Sequence, residues 1–162
     1  YFNQKKYRVS FDQEFERVIS HCAEVDRKGQ NEPGTWITSD MAKAYLLLHR
    51  MGVAHSVEVW QEDRLVGGLY GIAIGQIFYG ESMFSLSPNA SKFGFITLVK
   101  RLRELGYSLI DCQQETGHLN SLGAKGISQH QFLQLIEANL SEPTQLGRWD
   151  DILIDDIPRK MI

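Results

Sequence analysis

The chain has 162 residues, 43% of them hydrophobic and 23% charged, values of a globular domain rather than a disordered or fibrous one. Its formal net charge of -3 excludes a uniformly basic nucleic-acid coat and leaves room for a local basic patch. No apolar run reaches the roughly 20 residues that span a bilayer, and Cys22 and Cys112 lack any paired spacing for zinc. One reduced, cytoplasmic domain over residues 1–162, without a metal, is expected.

Tyr7 to Ser10 reads as a short strand. A helix follows, with Phe11, Phe15, Val18, Ile19 and Cys22 at helical spacing and Ser10 or Asp12 as its expected cap. Residues 27–34 are turn-rich and mark a loop. Thr38 or Ser39 then caps a second helix, with Met41, Ala44, Tyr45, Leu48 and Met51 as its apolar face and Gly52 as its end.

From Ala54 the period changes to that of strands. Ala54–Trp60, Leu65–Ile74 and Ile77–Ser85, separated by tight turns, predict an antiparallel meander. Gly67, Gly68, Gly71 and Gly80 inside it suggest bulges or close backbone approaches. A helix from about Ala90 to Leu105 ends at Gly106 and leads into a buried strand, Ser108–Cys112, so it can serve as a crossover. A helical turn over 118–122, a helix over 129–140 and an acidic-apolar tail over 150–157, read as an edge strand, complete the chain. The order is that of an acetyltransferase-like (GNAT-type) α/β domain, a mixed sheet with an antiparallel meander flanked by helices.

Two acids stand out, because strands are depleted in Asp and Glu and seldom bury them unpaired. If its strand continues, Asp111 shares a face with Gln113, and the pair can hold one ligand. Alternatively, Gln113 lies past the strand end and Asp111 caps a neighbouring N–H. With regular pairing Glu81, Met83 and Ser85 share one face, and Phe78, Ser82 and Phe84 the other. A bulge at Gly80 would turn Glu81 toward the cleft of Phe78; a structural salt bridge is the alternative for Glu81.

Phe95, Leu98, Leu102 and Leu105 form an apolar stripe that is core, and that can also wall a pocket with Leu69, Phe78 and Ile110. Domains that bind coenzyme A cradle its pyrophosphate on glycine-rich N–H groups before the crossover helix. Here that place reads Ser87-Pro88-Asn89-Ala90-Ser91-Lys92, without glycine and with a proline that has no N–H, so no coenzyme A is expected. The five histidines show no metal-ligand spacing and receive no catalytic role. Lys5, Lys6 and Arg8, and Lys100, Arg101 and Arg103, are basic clusters that fit a solvated face or an RNA footprint.

In order along the chain stand Thr35-Trp36-Ile37-Thr38, Ala44-Tyr45, Leu48-His49, Ala54-His55-Ser56-Val57-Glu58-Val59-Trp60 and Leu65-Val66-Gly67-Gly68-Leu69-Tyr70-Gly71. Gly80-Glu81-Ser82-Met83-Phe84-Ser85, Asn89-Ala90-Ser91-Lys92, Asp111-Cys112-Gln113, His118-Leu119 and Ser121-Leu122-Gly123-Ala124 follow. Together, from about Tyr7 to Leu140, they resemble the leucyl/phenylalanyl-tRNA–protein transferase family. The resemblance implies transfer of Leu or Phe (less often Met) from aminoacyl-tRNA to a protein with an N-terminal Lys or Arg, marking it for N-end-rule degradation. It implies Glu81, Asp111 and Gln113 as the catalytic set and Trp36 as a stacking platform for the terminal adenosine. Leu69, Phe78, Met83, Phe84, Phe95, Leu98 and Ile110 would line the pocket for the transferred side chain, with no cofactor. The family's further N-terminal segment is expected to be absent here. Leu86 stands where the family tends to have Arg, and Ser128-Gln129 where Pro-Arg is common. A non-catalytic aminoacyl-tRNA- or peptide-binding module of the same fold, and a coenzyme A-dependent acyltransferase, are the competing readings.

Overall fold

The computed structural model describes residues 6–24 and 37–151. Five strands form one sheet in sequence order: β1 (Arg8–Phe11), β2 (Ala54–Gln61), β3 (Arg64–Ile74), β4 (Ile77–Ser85) and β5 (Leu109–Asp111). The first four pair antiparallel. β2, β3 and β4 are alternating segments joined by two-residue turns, as the hairpin rule expects, and β1 joins β2 from across the two helices that lie between them in the chain. β5 pairs parallel with β4 because the helix α3 (Ala90–Glu104) carries the chain back across the sheet.

The strand alternation sorts the side chains into two layers. On one face Val57, Val59, Leu69 and Phe78 pack with Phe95, Leu98 and Leu102 of α3. The helix comes close because a Cβ on Gly94 would lie 2.7 Å from Val59. On the other face Ala54, Tyr70 and Phe84 pack beneath Phe15, Val18, Ile19 and Cys22 of α1 (Phe15–Glu24) and the inner side of α2 (Ser39–Arg50). The short α4 (Gly117–Ser121) and α5 (Gln129–Asn139) follow β5, and residues 149–151 form a single 3-10 turn. This is the predicted acetyltransferase-like arrangement.

Several local expectations are corrected, and Phe11, read with the first helix, belongs to β1. Thr38 does cap α2, accepting from the Met41 N–H, but neither Ser10 nor Asp12 caps α1. Ser10 donates instead to Glu58 (2.6 Å), and the fully buried Asp12 carboxylate accepts from His55 Nδ1 (2.8 Å), Ser56 N (2.8 Å) and Trp149 N (2.7 Å). On α2 the inward residues are Ala42, Tyr45, Leu46 and Leu48, whereas Ala44 and Met51 face solvent. The strand read over 108–112 is only three residues long and half-buried. Of the tail read as an edge strand, Asp150 and Asp151 belong to the 3-10 turn, and the remainder lies outside the described residues.

The segment before that turn is fastened to the sheet. Gly75 N donates to Thr144 Oγ1 and Arg148 Nη2 to the Asp12 carbonyl, both at 2.9 Å. A Cβ on Gly52 would meet Gly147 N at 2.2 Å, so the segment lies backbone to backbone on the turn after α2. We call residues 142–151 the strap.

Candidate active site

The site forms where β4 and β5 part company. β4 carries a bulge there: Ser82 pairs with Tyr70 but Gly80 pairs with Gly71, so Glu81 is the extra residue. One consequence is that Phe78 and Met83 fall on the same face despite their odd spacing, and both line a cleft of about 450 Å³ with Leu69, Phe95 and Glu81. The bulge predicted at Gly80 is therefore present.

Glu81 meets Tyr45 of α2, whose hydroxyl hydrogen-bonds its carboxylate. Burial, with the Glu81 bond and charge added, holds the Tyr45 phenol far above its usual range, so the phenol stays protonated and donates. Tyr45 in turn packs edge-on against Tyr70, ring centroids 5.1 Å apart. The sequence marked Tyr45 as an apolar helix position and within the Ala44-Tyr45 block; neither reveals a partner on β4.

β5 ends at Asp111, so simple alternation does not extend to Gln113. Gln113 adopts a left-handed backbone (φ 59°), and Asp111 Oδ1 accepts from its N–H at 2.8 Å, the side-chain turn typical of Asp. Of the two arrangements open for this pair, the cap is the one found. Gln113 then reaches back, Nε2 donating to the Gly80 carbonyl at 3.1 Å. Gln113 thus stands in the cleft beside the bulge that presents Glu81. Asp111 sits behind it and lines a second, larger cavity of about 760 Å³, which adjoins the first across Cys112, Gln113 and Gln114.

The remaining expected residues divide. Phe84 lies on the opposite face of the sheet, 2% exposed and stacked on His21 of α1 at 4.8 Å; it is core and does not reach the cleft. Leu98 is fully buried in the core and does not line the cleft, and Ile110 borders the second cavity instead. Trp36 lies outside the described residues. Thr116, His118 and Leu119, at the start of α4, close one side of the cleft; the motif containing His118 was visible in sequence, its position was not. Burial first and then the Asp111 charge push the Cys112 thiol up, so it offers no thiolate nucleophile at neutral pH. Among the described residues no group of three His, Cys, Asp or Glu side chains could hold a metal ion, and no helix is long and apolar enough to cross a membrane.

At the turn before α3 the chain satisfies its own donors. Ser91 N donates to Ser85 Oγ at 3.2 Å, Ala90 N to the Ser87 carbonyl at 3.1 Å, and Tyr7 Oη donates to the Pro88 carbonyl at 2.8 Å.

With that geometry in place, comparison with known proteins is decisive. A family model described as leucyl/phenylalanyl-tRNA protein transferase matches residues 1–137. The chain belongs to this family. A leucyl/phenylalanyl-tRNA–protein transferase of Pseudomonas fluorescens (strain Pf0-1) is 56% identical over 140 residues, covering 86% of this chain and 61% of the relative. One from Anaeromyxobacter sp. (strain K) is 53% identical over 143 residues, covering 88% and 60%. The chain thus spans about three-fifths of the length of these relatives. Among solved structures, an aminoglycoside acetyltransferase from an uncultured soil metagenomic sample, in complex with sisomicin, is similar at a TM-score of 0.49 and 12% identity over 86% of this chain and 90% of that one.

Proposed function

We propose that this leucyl/phenylalanyl-tRNA–protein transferase family chain is the catalytic domain of a cytoplasmic aminoacyltransferase, moving Leu, Phe or Met from aminoacyl-tRNA to the N-terminal Lys or Arg of a protein. The observation that carries this reading is the bulge on β4: it sets a carboxylate, Glu81, at one end of an apolar cleft whose other wall is Phe78, Met83 and Phe95. A branched or aromatic side chain fills such a wall, gaining roughly 1.5–3 kcal/mol on burial, while Glu81 receives the donor's own α-ammonium group.

The chemistry asked of the protein is modest. The acceptor's α-amine attacks the carbonyl carbon of the aminoacyl ester. The C–N bond forms, the C–O bond to the terminal ribose breaks, and the proton lost by nitrogen leaves with the ribose hydroxyl. An α-amine with a pKa near 7.7 to 8.0 is about a tenth free base at pH 7, so the work is orientation more than activation. With Gln113 Nε2 engaged by Gly80 O, its Oε1 remains to accept from the attacking amine. Asp111 acts through Gln113, fixing its left-handed turn. Degradation by the N-end rule is the fate proposed for the product.

The self-satisfied turn before α3 supports an aminoacyl donor over coenzyme A, because Ser85 Oγ and the Ser87 carbonyl already accept from the Ser91 and Ala90 N–H groups. Incubation with radiolabelled Leu-tRNA and a peptide beginning with Arg tests the proposal. Label in the peptide is expected; label that stays on tRNA while the cleft binds neither component would sink it.

A further inference from the structure

The strap lies beyond the residues that the family model matches, yet it delivers the indole of Trp149 into the main core. That ring is fully buried and stacks flat on His55 of β2, centroids 3.9 Å apart and planes 4° from parallel. Its neighbour along the sheet is Phe78, at 5.7 Å and 39°, the same Phe78 that walls the cleft.

The register explains how these rings are seated. His55 on β2 pairs with Gly71 on β3. Gly71 has no side chain, and the Phe78 ring occupies that vacant place: a Cβ there would come within 2.5 Å of Phe78 Cζ. Trp149 covers His55 and Phe78 covers Gly71, two rings side by side on adjacent strands. Phe78 therefore borders the cleft and also packs against Trp149. Protein interiors are packed like organic crystals, so a ring is held where its neighbours leave no room. The strap is itself pinned through Trp149 N and Arg148 to Asp12.

We propose that Trp149 is a specificity-determining positioning residue: by blocking the retreat of Phe78 it fixes the depth of the side-chain pocket. This rests on the aminoacyl-donor reading of the cleft. Emptying the Trp149 site lets Phe78 swing away from the cleft, deepening it for side chains larger than Phe and loosening its hold on Leu.

The test is binding by titration calorimetry of non-hydrolysable 3′-aminoacylamino adenosines carrying leucyl, phenylalanyl and tryptophanyl groups, to the full chain and to Trp149→Ala and Trp149→Phe. Among the described residues the indole N–H has no hydrogen-bond partner, so Trp149→Phe removes area without stranding an acceptor. The expected result is a rise of at least tenfold in the tryptophanyl-to-leucyl affinity ratio for Trp149→Ala, with Trp149→Phe near the parent. If Trp149→Ala does not fold, as judged by circular dichroism, Trp149→Leu takes its place with the same expectation. An unchanged ratio in a folded Ala or Leu variant overturns the role of Trp149 and leaves the donor cleft standing. A parent chain that binds none of the three analogues overturns the donor reading itself, and this inference with it.

Discussion

Gln113 Nε2 lies 3.1 Å from the carbonyl oxygen of Gly80, so the end of β5 is tied to the residue just before the β4 bulge. One amide thereby fixes the distance between the two strands at the place where the cleft opens, and its free oxygen is aimed by the bond its nitrogen makes.

Replacing Gln113 by Ala should lower single-turnover transfer by roughly 10²-fold, the lower end of what positioned acid–base and orienting groups supply. Gln113→Glu should not restore it, because a carboxylate oxygen would face the Gly80 carbonyl in place of the donor N–H. Rapid-quench measurement of peptide labelling checks both; a Glu variant at parental rate would argue against the orienting role.

Tyr45→Phe removes the hydroxyl that donates to Glu81. A hydrogen bond to a charged group is worth roughly 1.5–3 kcal/mol, so about a 10- to 100-fold weaker hold on the donor's α-ammonium is expected. The loss should appear in KM for aminoacyl-tRNA more than in kcat, and a fall in kcat alone would place Tyr45 in another role.

Phe84→Ala and Phe95→Ala separate core from pocket. Both delete a buried ring and should cost roughly 3–5 kcal/mol of stability. Only Phe95→Ala, which opens the cleft wall, should alter the preference among Leu, Phe and Met donors. Competition between differently charged tRNAs reads the ratio.

Glu58 is fully buried, accepting hydrogen bonds from Ser10 Oγ and Ser56 Oγ. Burial raises its pKa, outweighing the bonds that lower it. The folded state therefore holds this proton at pH values where the unfolded chain has released it, so stability falls as pH rises from the ordinary carboxyl value through the raised one. Glu58→Gln should flatten that part of the stability–pH curve, measured by urea denaturation across the acid range. An equal slope in parent and variant would mean that Glu58 is not its source.

The meander and crossover were legible because period-two runs, two-residue turns and a long amphipathic stretch are local signals. The site was legible only in part. Gly80 signalled the bulge, and so the turning of Glu81, but the alternation that paired Asp111 with Gln113 assumed a strand continuing past Asp111. It ends there, and the left-handed turn at Gln113 breaks the rule that strand residues two apart share a face. Phe84 failed as a pocket residue for the converse reason: after the bulge, alternation resumes and sends it to the α1 side. Tyr45, Asp12 and Trp149 act through partners 36, 43 and 94 positions away in the case of Glu81, His55 and His55, and no local pattern encodes such meetings.

The bond from the Trp149 amide to Asp12 joins residues 137 positions apart. Closing so long a loop has an entropic cost that rewards nothing until the strands it spans are in place. Docking of the strap is thus expected to come last in assembly and its release first in disassembly. On warming, the near-ultraviolet dichroism of the buried indole should fade before the far-ultraviolet signal of the strands, and discrimination among donors should blur at temperatures where the backbone is still intact.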